Sequence, residues 1–251
     1  MAWVETPSET FVARHDERDA DDAAAVLDQL EAARRRLEAR FPVPVGEMAV
    51  VLHGSAAQLD AAQPWLPLHR RLTAPAGRRY LVGWTTEREL HCLAPRMLAR
   101  RASNVEGSVE LLMLAPSALF ARRVVGAGND RLPPPFTVRS FRRYLRWAWL
   151  VEGAAQHFSG QSRHVRPAVT RRMHEGPHPE FPPALRDAAL LGGTVFDLLH
   201  REQGERACVA LATGADAADP LDALVRAFGG RPARHTEATW RTYLERLAGG
   251  R

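Results

Sequence analysis

Trp149-Leu150-Val151-Glu152-Gly153-Ala154-Ala155 sets one carboxylate and one glycine among apolar residues. The stretch reads as part of a long helix running from a cap at Thr137 or Ser140 to about Phe158. Gly153 costs such a helix about 1 kcal/mol relative to alanine. A glycine at this point therefore implies close packing or an inherited constraint. Glu152 has two readings: it faces solvent while Trp149 and Ala155 pack inward, or it is partly buried. The glycine favours burial, and a buried carboxylate needs a partner.

The neighbouring segments place this helix in a fold. Ser108 to Val125 carries a helical pattern in Val109, Leu112, Met113, Phe120 and Val124, ended by Gly126-Ala127-Gly128-Asn129-Asp130. Pro133-Pro134-Pro135 then forces an extended loop. Towards the N-terminus, Thr10 to His15, Met48 to His53, Arg79 to Trp84 and Glu89 to Leu93 read as strands. The last two are joined by the hairpin-length Thr85-Thr86-Glu87-Arg88. Asp19 to Phe41 reads as a helix, with Ala24, Leu27, Leu30, Leu37 and Phe41 at three- and four-residue steps, stopped by Pro42-Val43-Pro44. Its acidic start (Asp19, Asp21, Asp22) and basic end (Arg34, Arg35, Arg36, Arg40) suit the helix dipole, so the arginine run reads as a solvated face. Ser55 is the expected cap of a short helix from Ala56 to Leu66.

Beyond Phe158, residues 159–183 are rich in arginine, histidine and proline and carry little periodicity, so they read as an irregular loop. Leu185 to Leu199, Arg206 to Thr213, Leu221 to Phe228 and Thr236 to Leu247 read as helices. The expectation is a single α+β domain over 1–251. A small mixed sheet with helices fills about 1–107, and an all-helical part fills about 108–251.

Composition narrows the classes. With 45% hydrophobic and 25% charged residues in 251, the chain can bury a sizeable core, and wholesale disorder is excluded. All 34 basic residues are arginine, yet the net charge is only +5, so basicity alone does not argue for nucleic acid. Cys92 and Cys208 could form one bridge at most, and free buried thiols in a reducing compartment are the expectation. Met1 to Pro7 lacks the pattern of a signal peptide, and no apolar run is long enough to cross a bilayer. A cytoplasmic protein without a membrane partner is expected.

The Trp149 to Ala155 stretch, W-L-x-E-G-x-A, resembles the third-ligand helix of gluzincin-type zinc peptidases, the peptidase MA-like domains. Element order extends the resemblance over most of the chain. An early strand and long helix precede the apolar strand at Met48 to Leu52, and a central helix precedes the glutamate helix. Phe196-Asp197-Leu198-Leu199-His200-Arg201-Glu202-Gln203-Gly204 and Ala223 to Gly229 follow, then a tryptophan-bearing last helix at Thr239 to Leu244. In that family two histidines of H-E-x-x-H share one helix face and bind zinc, and the glutamate between them is the general base. The resemblance places that helix at 111–125, with Leu119 and Arg123 at the histidine positions and Phe120 at the base. A one-residue slip uses Arg122 instead. No register supplies a histidine. Only Glu152 matches a family ligand, so catalytic residues are expected to be none, and Arg122 or Arg123 is expected to supply the charge that zinc supplies in the family.

His174-Glu175-Gly176-Pro177-His178 matches H-E-x-x-H in letters, but Gly176-Pro177 opposes the helical turn that the chemistry needs. If a metal is bound at all, Glu152, His164, His174 and His178 are the candidate ligands. His157 stands about 500° along the helix from Glu152 and does not converge on it. His53 and His91 read as satisfied strand histidines, and Cys92 beside His91 points to the opposite face. Arg139, Arg142, Arg143 and Arg146 with Tyr144 and Trp147 form a basic-aromatic stretch that reads as a polar helix flank rather than a nucleic-acid site. The expectation is a non-catalytic metallopeptidase-like module without a cofactor, binding a peptide or protein partner. The alternatives are a zinc-dependent hydrolase with rebuilt ligands and, more weakly, an arginine-mediated nucleic-acid binder.

Overall fold

The structure, a computed structural model, describes residues 3–41, 45–129, 138–214 and 219–249, the side chains of 138–140 excepted. The expected breaks at Pro42-Val43-Pro44, Asp130 and Pro133-Pro134-Pro135, and the cap at Thr137, lie outside those residues, while Ser140 lies within a helix.

The fold is α+β. Strand β1 (Trp3–Pro7) runs antiparallel to β2 (Phe11–Asp16), which leads through a 3-10 turn at Glu17–Asp19 into helix α1 (Ala20–Glu38). The chain returns as β3 (Met48–His53), parallel to β2, and continues through α2 (Ala56–Ala62), α3 (Trp65–Leu72) and the single turn α4 (Pro75–Arg78). A hairpin of β4 (Gly83–Thr85) and β5 (Glu89–Leu93) completes a mixed sheet of order β1-β2-β3-β5-β4, with β5 parallel to β3 and both edge strands antiparallel. The central β3 and β5 are buried almost throughout, as parallel strands covered on both faces are. Helices follow: α5 (Pro95–Arg101), α6 (Ser108–Met113), α7 (Ala115–Ala127), α8 (Val138–Ser159), a 3-10 turn at Gln161–His164, α9 (Arg166–His174), α10 (Leu185–Gln203), α11 (Glu205–Thr213), α12 (Pro220–Ala227) and α13 (Ala233–Gly249).

Several sequence expectations need correction. The helix expected over 108–125 is two, because Pro116 in the first turn of α7 has no N–H to continue the ladder of α6. The strand expected from Arg79 is confined to β4. Leu81 instead gives its carbonyl to Arg70 Nε at 2.9 Å. Ser55 does cap α2, accepting from Gln58 N at 3.2 Å, but that helix stops at Ala62 and Trp65 opens a separate one. Arg34, expected on a solvated face, is buried. It bonds Glu38 at 2.8 Å and donates to the carbonyl of Val45, tying α1 to the approach to β3. Residues 159–183 are not irregular throughout. Arg172 is 2% exposed and clamps Asp187 with Nε and Nη2, at 2.5 and 2.8 Å, while its Nη1 holds the carbonyls of Glu175 and Pro177. Val165, Ala168 and Val169 join the core on the same helical face, so a buried arginine and three apolar side chains anchor this segment.

A single apolar core runs from Phe11 to Leu244 through both halves. Fully burying a Leu or Phe on it contributes about 1.5–3 kcal/mol. Helix α7 packs on α1, β4 and β5 and also on α8, and α8 lies along α10. That last crossing brings backbones together: a Cβ on Gly153 would sit 2.5 Å from the Gly192 carbonyl oxygen, and one on Gly192 would sit 2.5 Å from that of Trp149. Close packing is therefore the physical reason for Gly153, and it fixes how α8 rotates about its axis.

Candidate functional site

That rotation turns Glu152 of α8 towards α7. Glu152 is 4% exposed, and its carboxylate takes Arg122 Nη2 on both oxygens, 2.6 Å from Oε1 and 2.5 Å from Oε2. Tyr144, about two turns earlier on α8, donates its hydroxyl to Oε1. His69 of α3 completes the chain, with Nε2 3.3 Å from the Tyr144 oxygen. Tyr144 has a single proton and gives it to Glu152, so the network assigns the imidazole proton to His69 Nε2 and leaves Nδ1 as an acceptor. Trp84 of β4 closes the group, its ring centroid 5.4 Å from Arg122 Cζ and edge-on to both His69 and Tyr144.

The electrostatics are those of a charge pair sealed from water. Burial alone would raise the Glu152 carboxyl, but Arg122 and the hydrogen bonds from Tyr144 and Arg122 outweigh it and hold it below the ordinary range. Burial works against the Arg122 cation, and the Glu152 charge more than compensates, so its pKa is raised. Burial and then Glu152 push the Tyr144 hydroxyl well above its usual value. Burial, with Arg122 and Arg70 adding to it against the pull of Glu152, lowers His69 to about 4. At neutral pH the site is thus Glu⁻, Arg⁺, neutral Tyr and neutral His. A carboxylate with both oxygens engaged and a depressed pKa is a poor general base. Arg122 Nε and Nη1, His69 Nδ1 and Trp149 Nε1 are buried without a partner among the described residues.

A cavity of about 40 Å³ touches the pair, lined also by Gly83, Ala118 and Leu119. It has room for a few waters and none for a peptide side chain, since one water needs about 10–15 Å³ of such volume. Of the residues singled out by resemblance, Leu119 lines this cavity beside Arg122. Phe120 points elsewhere, edge-on to Phe11 at 5.2 Å, and Arg123 reaches the Glu87 carbonyl at 2.8 Å. The partner of Glu152 is therefore Arg122 and not Arg123.

The histidines named as conditional ligands do not gather around Glu152. His174 ends α9, where Nδ1 meets the Thr170 carbonyl at 2.7 Å, and the left-handed Gly176 (φ +73°) breaks any helical path to His178. Glu175 is used elsewhere, accepting from Ala76 N and Arg171 Nε. His53 and His91 pair with one another, Nε2 to Nδ1 at 3.1 Å, and His91 Nε2 meets Glu89. Burial pushes the Cys92 thiol up to about 12. In the basic-aromatic stretch Tyr144 and Trp147 are buried and cannot stack on bases, and Arg146 pairs with Asp219 at 2.9 Å.

A second cluster escaped the sequence reading. His157 of α8, His200 of α10 and Cys208 of α11 bring one ligand atom each to within 4.8 Å of the others, the one such group among the described residues. His157 Nδ1 lies 2.9 Å from Asp197 Oδ1, which also accepts from Ser162 Oγ at 2.9 Å. His157 and His200 line a cleft of about 570 Å³ that His164 also lines. One available signal was Asp197-x-x-His200, which puts a carboxylate and an imidazole on one helix face. His157 was weighed only against Glu152, which is on its own helix, whereas its partners come from α10 and α11.

No family model, no curated protein and no solved structure matches this chain.

Proposed function

We propose that this protein is a non-catalytic module built on a degenerate gluzincin-like scaffold, with Arg122 supplying the positive charge that zinc would supply to Glu152. One observation carries the reading: both Glu152 oxygens are taken by Arg122 and Tyr144 in a buried site that adjoins only a small cavity. Three of the carboxylate's roughly four acceptor sites are thereby taken, and the neighbouring cation is a guanidinium. The element order supports the same reading, since the Arg122 helix follows a mixed sheet and precedes the glutamate helix, with edge strand β4 beside them. Because the cavity does not accommodate a peptide side chain, the role we assign to this centre is to hold α7, α8, α3 and β4 in register. Recognition of a protein partner then falls to the outer surface. Two unbridged buried cysteines fit a reducing, cytoplasmic setting, and no helix among the described residues is long and apolar enough to cross a membrane.

Metal analysis with peptidase assays tests the reading. The expected outcome is no cleavage of a mixed peptide library by purified protein and no metal whose binding depends on Glu152. Stoichiometric zinc that vanishes in Glu152→Gln but persists in Cys208→Ala, or metal-dependent cleavage lost in Glu152→Gln, would overturn it.

A further inference from the structure

We infer that His157, His200 and Cys208 form a binding site for a transition-metal ion, with Zn²⁺ the fitting cation, on the face of α8 away from the Arg122–Glu152 pair. Their ligand atoms lie within 4.8 Å of one another, against the roughly 3.3–3.6 Å separations that a tetrahedral zinc with imidazole and thiolate ligands imposes. His200 is the exposed member of the group, so the remaining approach of about an ångström is assigned to its side chain. Three elements contribute one ligand each, so the ion would pin α8, α10 and α11 together where Gly204 separates the last two.

An independent feature supports this assignment. Asp197 accepts from His157 Nδ1, which fixes the tautomer and leaves Nε2 as the unprotonated electron donor. Carboxylate–histidine pairing of this kind orients metal-bound imidazoles and raises their basicity. Ser162 holds the same Asp197 oxygen, so the supporting carboxylate is itself anchored. Cys208 is buried, and its Sγ lies 3.5 Å from the Phe196 carbonyl oxygen. Two imidazoles and a thiolate are borderline-to-soft ligands, which suit zinc and disfavour magnesium or calcium. His157 and His200 line the 570 Å³ cleft, where Arg36, Arg40, Arg163 and Arg201 outnumber Asp197 and Glu205. That field favours an anionic or water-derived fourth ligand over a cationic one. When the ion binds, the thiol proton leaves to solvent and no redox change occurs.

Titration of the purified full chain with Zn²⁺ and, separately, with Co²⁺ tests the site. The expected result is one ion per chain and a thiolate-to-cobalt charge-transfer band. Cys208→Ala abolishes the band, His200→Gln weakens binding by at least about tenfold, and Asp197→Asn weakens it by about 10–100-fold. His200 is exposed, so its variant keeps the test decisive should Cys208→Ala fail to fold. Glu152→Gln leaves binding unchanged, which separates this site from the reading of Glu152. No ion bound at micromolar Zn²⁺, or binding that survives both Cys208→Ala and His200→Gln, overturns the assignment.

Discussion

Arg122 meets Glu152 through one nitrogen: Nη2 contacts both carboxylate oxygens, and Nε and Nη1 contact neither. The guanidinium acts here as a cation with one donor rather than as a fork. Arg122→Met should leave a buried, uncompensated carboxylate and cost about 3–5 kcal/mol in urea unfolding. Arg122→Lys, which keeps one cationic donor, should cost clearly less. Equal losses would show that the planar shape of arginine, stacked on Trp84, matters more than its charge.

The same cluster sets an acid dependence. His69 titrates at about 4 folded against 6.5 unperturbed, so between those values the unfolded chain binds a proton that the folded chain refuses. Stability is complete above 6.5 and falls as pH drops towards 4. His53, also lowered to about 4 by burial and by His91, acts in the same direction. Glu152, depressed below 4.5, adds stability that is full above 4.5 and lost as pH falls through its folded value. Denaturant unfolding across this range should show loss beginning near 6.5, flattened in a His69→Gln, His53→Gln double variant. A wild-type profile flat down to 4.5 would contradict this.

Gly153→Ala gains about 1 kcal/mol of helix propensity. It also drives a Cβ to 2.5 Å from the Gly192 oxygen, a backbone atom that cannot swing aside. Overpacking of about 1–3 kcal/mol should win, lowering the melting temperature. A higher melting temperature would mean that α8 and α10 part easily.

Arg172→Ala removes the clamp on Asp187 and on two carbonyls of the 175–177 turn. A loss of about 3–5 kcal/mol and new proteolytic cuts within 159–183 are expected. An unchanged digestion pattern would show that α9 is held by its apolar contacts alone.

Elements with strong local signals were legible. Met48 to His53 and Glu89 to Leu93 are strands as read, because each is a compact apolar run bounded by breakers. Strand β1 was missed because it is an exposed edge without alternation, and α5 because a short Pro-initiated helix carries almost no periodicity. Glu152 was legible through Gly153, whose presence in a helix asks for a close neighbour. Nothing local announces that Arg34 and Arg172 are buried, since an arginine looks the same in sequence whether it is solvated or paired.

Periodicity and breakers along the chain determined by themselves the α+β layout and most helices, while Gly153 favoured the burial of Glu152 without deciding it. Tertiary structure alone decided that Arg122 rather than Arg123 answers Glu152, that Tyr144 and His69 join them, and that His157, His200 and Cys208 meet. The reason is geometric. Adjacent arginines on a helix differ by about 100° in direction, and only the packing of α7 between the sheet and α8 chooses one. Residues 43 and 51 positions apart converge only after α8, α10 and α11 have docked.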